Sequence, residues 1–173
     1  PETPPPERAS EFECDILFYG GADKDRIPYI ESLIDAGFSV HLYGGYWDRF
    51  PKTRSAWRGR ANVQTLRWAV SSARVTLCLV RRANRDGHVM RSFEVPAMGG
   101  CLLVEDTPEH QFILGTNETV RFFSSLTNLI RNAKELVQDS ALREKMRSAS
   151  LERIVNHSNT YKDRLISILE YIL

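Results

Sequence analysis

Short apolar runs, two of them ending in paired glycines, that alternate with helix-period segments constrain this chain more than any other feature. Asp15-Ile-Leu-Phe-Tyr19 ends at Gly20-Gly21 and Ser39 to Tyr43 at Gly44-Gly45, while Val75 to Val80 and Cys101 to Val104 are apolar runs that end at the charged residues Arg81 and Glu105. Such runs, bounded by turn residues, read as buried strands. Between them Ile27, Ile30, Leu33 and Ile34 repeat at helical spacing, and Gly37 sits where a C-cap glycine belongs. A polar, aromatic loop runs to about residue 61, a helix is expected over roughly 63–73, and a short one from Arg91 to about Gly99. Strands that alternate with helices pair in parallel through right-handed crossovers. The expected fold is therefore α/β, a Rossmann-like doubly wound parallel sheet.

Helices dominate the C-terminal part. Thr107-Pro108-Glu109 is a helix start, with a hydroxyl N-cap and proline at the first helical position. Thr119 to Phe123 is the weakest of the strand candidates. Leu126, Leu129, Ile130, Ala133, Leu136 and Val137 mark an amphipathic helix, and Asp139 caps the next, whose inner face holds Leu142, Met146, Ala149 and Ile154. Thr160 and Asp163 form a capping box for a last helix with the stripe Leu165, Ile166, Leu169 and Ile172.

A chain of 173 residues, 42% hydrophobic and 26% charged, suits one soluble globular domain. Residues 1–11 are proline-rich and polar, which reads as a linker or tail, so the domain proper is expected over 12–173. No apolar run approaches the roughly 20 residues a membrane span needs, and the N-terminus lacks the basic-then-apolar order of a signal peptide. A cytoplasmic protein is the default expectation. The net charge of +1 offers no global argument for nucleic acid. Cys14, Cys78 and Cys101 show no metal-ligand spacing and read as buried reduced thiols.

In a parallel sheet, ligands bind at the carboxyl ends of strands. The stretch Arg85 to Glu105 joins the third strand to the fourth at such an end. The helix opening at Arg91 presents free N–H groups and a positive dipole, Ser92 adds a hydroxyl, and Arg81, Arg82, Arg85 and Arg91 add guanidinium groups suited to a pyrophosphate. Glu94 lies one turn inside, either to accept from vicinal ribose hydroxyls or to compensate the dipole. Asp86 precedes it by eight residues and either faces a sugar or caps the loop. His88 is a candidate polar contact, His110 falls near the same face, His41 lies within a strand and His157 near a helix end. Neither His88 nor His110 has the partners of a hydrolase.

The pairs Gly20-Gly21 and Gly99-Gly100 remove side chains where backbone can approach a ligand. Gly20-Gly21-Ala22-Asp23-Lys24 is neither a G-x-G-x-x-G nor a Walker A pattern, which disfavours ordinary dinucleotide oxidoreductases and P-loop NTPases. Arg26 reaches a phosphate or is a surface residue. Tyr43, Tyr46 and Trp47 either stack on a base or cover the sheet edge.

Arg85-Asp86-x-His88, then Arg91-Ser92-Phe93-Glu94-Val95-Pro96-Ala97-x-Gly99-Gly100, then Leu102-Leu103-x-Glu105 and Glu109-His110, resemble the signature of CgeB-like (spore-maturation-type) glycosyltransferases. The likeness runs over residues 13–173 and includes Gly44-x-x-Trp47, Ala73 and Tyr161-x-x-Arg164. It implies the C-terminal half of a retaining GT-B enzyme of hexosyltransferase type, with a UDP- or GDP-linked sugar as donor and no metal or other cofactor. It implies Asp86 and Arg91 as catalytic residues. It puts Glu94 on the ribose and matches Gly99 five residues on, so that with the residues read above the expected donor-binding set is Gly20, Gly21, Arg26, His88, Ser92, Glu94 and Gly99. Relatives carry two acids eight residues apart, the first often glutamate where this chain has Asp86. The N-terminal acceptor-binding half is absent from the chain, which implies that it is inactive alone. The alternative is a degenerate Rossmann-like module for protein contacts or nucleotide sensing. A receiver domain is disfavoured, because Gly20-Gly21 and Phe122-Phe123 supply neither its acidic cluster nor its lysine.

Overall fold

The computed structural model describes residues 1–156 and 159–172. Its strands are β1 (Ile16–Tyr19), β2 (Val40–Tyr43), β3 (Val75–Cys78), β4 (Leu102–Glu105) and β5 (Arg121–Phe123). Its helices are α1 (Ala9–Phe12), α2 (Ile27–Asp35), α3 (Pro51–Arg54), α4 (Val63–Ser72), α5 (Arg91–Ala97), α6 (Pro108–Leu114), α7 (Leu126–Gln138), α8 (Ser140–Val155) and α9 (Tyr161–Ile172). The sheet order is β2-β1-β3-β4-β5 and every pairing is parallel. That is the expected doubly wound α/β sheet. Its switch point, where successive strands change direction across the sheet, lies between β1 and β3.

The near-continuous apolar character of the strands has its cause in burial on both faces. Successive residues of β1 point to opposite sides. Ile16 and Phe18 join Ile30, Leu33, Leu129 and Leu136 from α2 and α7, whereas Leu17 and Tyr19 join Ala69, Val70, Val95 and Leu114 from α4, α5 and α6. Helix α8 links the two layers, with Met146 in the first and Ile154 in the second. Each fully buried large apolar side chain contributes roughly 1.5–3 kcal/mol relative to exposure. Residues 56–59 run beside the outer edge of β2, where Leu42 N–H donates to Ala56 O and Arg58 N–H to Leu42 O. That covers a strand edge otherwise open to another chain.

The predicted caps are present: Thr107 Oγ1 accepts from His110 N–H, Asp139 Oδ1 from Leu142 N–H, and Thr160 and Asp163 exchange bonds across the first turn of α9. The three cysteines are free and buried, as expected. His157 lies outside the described residues. Among these residues no helix is long and apolar enough to cross a membrane.

Residues 1–11, read from composition as a linker or tail, pack on the domain. Pro6–Arg8 forms a 3-10 turn that leads into α1. Phe12 is buried edge-to-face against Trp68 of α4, and the Arg8 guanidinium lies over both rings. The Glu2 carboxylate accepts from Arg67 and Gln64 of α4. Composition missed this because the ordering contacts come from single side chains that meet a helix some sixty residues away in sequence. In α9 the predicted stripe exists, but Leu165, Ile166, Leu169 and Ile172 stay exposed.

His41 on β2 is buried with Nδ1 unpartnered among the described residues, and burial followed by the Arg58 charge pulls its pKa from 6.5 to about 4. The unfolded chain therefore takes up a proton on His41 between those values while the folded chain does not, so stability falls as pH drops from 6.5 towards 4. Urea midpoints measured across that window should fall less steeply for His41→Leu. Parallel slopes would remove His41 from the acid response.

Candidate functional site

At the carboxyl end of β1 the chain turns through Gly20 and Gly21 under tight backbone control. Gly20 N–H donates to Tyr43 O at 2.8 Å and Ala22 N–H to Gly45 O at 2.9 Å, so the turns after β1 and β2 lie against each other. The indole of Trp47 donates to Gly20 O and that of Trp57 to Gly44 O, each at 2.8 Å. Gly20 and Gly44 have φ of 149° and 131°, which L side chains rarely adopt.

Two arginines meet beneath this turn. Arg91 Nη1 donates to Tyr19 O at 2.8 Å and Nη2 to Leu79 O at 3.0 Å, which spans the crevice between β1 and β3. Arg26 is 7% exposed; its Nη1 donates to Gly21 O at 3.2 Å and lies 3.4 Å from the Asp23 carboxylate. Both guanidinium groups face the Phe18 ring, at 5.1 Å for Arg91 and 5.7 Å for Arg26. Burial and then the Arg91 charge push the Arg26 pKa down, with Arg81 adding to the effect and Asp23 opposing it. The Nε atoms of Arg26 and Arg91 are buried and have no partner among the described residues. Like charges in a partly desolvated crevice, with N–H donors unspent, favour an anion. A diphosphate is the group that two such forks can neutralise together.

Glu94, on the α5 face that also carries Arg91, accepts from the Tyr19 hydroxyl at 3.2 Å. It lines a cavity of about 460 Å³ with Val63, Leu66 and Arg67 of α4, Ala97, Met98 and the arm residues Pro1 and Glu2. A second cavity of about 380 Å³ shares Leu66 and is lined by Tyr19, Gly20, Tyr43, Gly44, Gly45, Tyr46, Arg60 and Ala61. The two cavities meet at Leu66, and Tyr19, which lines the second, bonds both Glu94 of the first and Arg91, so a mainly apolar groove with an acid lies next to the arginine pair. Such a groove suits an apolar base and a polyol joined to a diphosphate.

The structure brings Gly20, Gly21, Arg26, Arg91 and Glu94 together at the switch point. It places Ser92 differently. That side chain is fully buried, and its hydroxyl lies 2.9 Å from His110 Nε2, while His110 Nδ1 lies 2.7 Å from Glu105 O. A donor at Nδ1 leaves Nε2 as acceptor, so the Ser92 hydroxyl donates inward to a neutral imidazole whose pKa burial pushes down. Ser92 and His110 fasten α5 to α6 rather than facing the crevice. Gly99 has φ of 76° and ends α5, with Gly99 N–H bonded to Pro96 O and Gly100 N–H to Val95 O.

Asp86 and His88 lie on the loop after β3, which leans towards α6: Thr107 donates to Gly87 O, and the Glu109 carboxylate occupies the space a Gly87 side chain would need. Among the described residues Asp86 accepts from Asn84 Nδ2 at 3.4 Å, and His88 stands edge-on to Phe93 at 5.8 Å. Neither is tied to Arg91 or Glu94. Arg82 is held by Glu105 at 3.1 Å and Tyr29 at 3.0 Å, away from the crevice. Trp47 is fully buried and braces the Gly20 turn, which removes it as a base platform, whereas Tyr46 is 54% exposed on the groove. Sequence reading missed Tyr19; its place just before Gly20-Gly21 was the available signal.

No curated protein matches the chain in sequence. Sucrose-phosphate synthase from Thermosynechococcus elongatus superposes with a TM-score of 0.70 at 16% identity, covering 98% of this chain and 49% of that one. T4 phage β-glucosyltransferase superposes with a TM-score of 0.68 at 17% identity, covering 91% and 50%. A mutant of that phage enzyme, described in complex with UDP-glucose, gives 0.66 at 17% identity, covering 83% and 43%. The chain thus spans about half the length of the solved structures it matches, and at these identities the likeness carries the fold alone, that of one half of a GT-B glycosyltransferase. The family model described as glycosyl transferase-like matches residues 26–170, a span that holds Arg26, Arg91 and Glu94, and the chain belongs to that family.

Proposed function

We propose that this chain is the donor-binding half of a retaining, CgeB-like GT-B hexosyltransferase, which takes a sugar from a UDP- or GDP-linked donor and transfers it to an acceptor hydroxyl. The observation that carries the reading is the pair Arg26 and Arg91, which meet at the switch point with buried Nε donors that no described residue engages, Arg91 lying one helical turn before Glu94. The phage enzyme described with UDP-glucose lends support, since its donor-type ligand belongs to the same fold. In this reading the anomeric bond to the diphosphate breaks as the acceptor oxygen bonds to the same carbon on the same face, and the acceptor's hydroxyl proton passes to the departing diphosphate oxygen. Arg26 and Arg91 stabilise the charge that develops on the departing diphosphate, which calls for no metal. Glu94 accepts from the ribose hydroxyls, and Asp86 and His88 approach the donor sugar only if their loop swings from α6 towards the crevice. The acceptor-binding half is a separate domain, and this chain alone transfers no sugar. The reading places the protein in the cytoplasm, where nucleotide sugars are made.

Calorimetry with UDP and GDP tests the site. Glu94→Ala should weaken the nucleotide that binds by about 1–3 kcal/mol. An unchanged affinity would take Glu94 out of the site, and failure of both nucleotides to bind would favour the non-catalytic module.

A further inference from the structure

We propose that Tyr19 is a positioning residue that holds Glu94 for the ligand's vicinal diol, and so sets the preference for ribose over 2′-deoxyribose. The inference rests on the nucleotide reading of the site. Tyr19 is bound twice by α5: its carbonyl accepts from Arg91 Nη1 at 2.8 Å and its hydroxyl donates to Glu94 Oε2 at 3.2 Å. That is the only hydrogen bond the described residues give the Glu94 carboxylate. One oxygen is therefore fixed against the end of β1 while the other is left for a ligand in the cavity that Glu94 lines.

Burial and then the Glu94 charge push the Tyr19 pKa up, so the phenol stays protonated and donates at any physiological pH. A glutamate side chain has three rotatable bonds, and a carboxylate free to turn would lose rotamer entropy each time it accepts from a diol. The Tyr19 hydroxyl removes that freedom before the ligand arrives. Phenylalanine at 19 keeps the ring and the carbonyl held by Arg91, and deletes only the bond to Glu94.

The test compares UDP with 2′-deoxy-UDP, and GDP with 2′-deoxy-GDP, by calorimetry on the full chain and on Tyr19→Phe, with thermal melts to confirm folding. A merely structural tyrosine weakens the ribo and deoxy ligands alike and leaves their ratio unchanged. Positioning predicts that the ratio, expected near tenfold in the parent for one charge-assisted bond, falls to about twofold in Tyr19→Phe. A ratio preserved in Tyr19→Phe overturns the role of Tyr19 and leaves the site standing. A parent that binds ribo and deoxy ligands equally overturns the diol contact itself. A parent that binds none of the four overturns the nucleotide reading and this inference with it.

Discussion

Alanine at Gly44 should lower the unfolding free energy by on the order of 3–5 kcal/mol and abolish nucleotide binding. A Cβ built there lies 2.3 Å from Gly20 O and 2.6 Å from Gly20 C, which is backbone that no rotamer change can move. The φ of 131° adds strain, since an L side chain rarely adopts it. Relief would require the turns after β1 and β2 to part, which breaks the bond from Gly20 N–H to Tyr43 O and draws Gly20 O from the Trp47 indole. Gly21 O, which holds Arg26, moves with that turn. Gly45→Ala is the control, because nothing lies within 4 Å of its Cβ and its φ is not left-handed. Urea unfolding of the two variants reads the difference. A Gly44→Ala protein as stable as Gly45→Ala would show that the turns separate at little cost.

Removing the Arg91 side chain should have the next largest effect. The ladder between β1 and β3 pairs Ile16 with Val75 and Leu17 with Thr76 and runs no further, so the strands have separated where Tyr19 and Leu79 present their carbonyls. The Arg91 fork fills that gap. Arg91→Ala leaves both carbonyls short of a donor in a partly buried place, at about 1–3 kcal/mol each. At this chain length that corresponds to a fall in Tm of roughly 4–24 °C. Arg91→Lys should recover little, because one ammonium cannot hold the two carbonyls in the geometry of a planar fork.

The same variants read the chemistry. Nη1 and Nη2 of Arg91 spend one N–H each, on Tyr19 O and Leu79 O respectively, and each keeps a second N–H for an anion. Arg91→Ala and Arg91→Lys should both bind UDP or GDP at least about 100-fold more weakly, a loss of two charge-assisted bonds. Melting points near that of the parent would sink the clamp. Parental nucleotide affinity in a folded Arg91→Ala protein would sink its role at the diphosphate.

Legibility in the sequence followed the range of the interactions. The five strands, the helix starts at Thr107 and Thr160 and the C-cap after α2 rest on periodicity, hydroxyls and glycines a few residues apart and could be read directly, whereas Gly99, read as a ligand approach, closes α5. The cluster of charge between Arg81 and Glu94 was equally plain, but its division was not. Arg82 turns to Glu105, Ser92 turns inward to His110, and Asp86 and His88 lean towards α6, whereas Arg91 and Glu94 meet the end of β1 at the crevice. Their partners Tyr19 and Leu79 lie on other strands, and no spacing rule links them. The docking of residues 1–12 was hidden for the same reason.

By itself the sequence determined an α/β sheet of parallel strands, because runs buried on both faces and helices with one apolar face can be packed together in few ways. It also determined that cations and an acid would gather at the carboxyl ends of those strands. Only the tertiary structure decided which of them share a site. Two guanidinium groups on separate elements meet across Phe18, and a tyrosine at the end of β1 binds the acid, because the strand order opens its crevice between β1 and β3. Local chemistry sets the elements, whereas the direction of each side chain depends on neighbours that the chain meets only after it has folded.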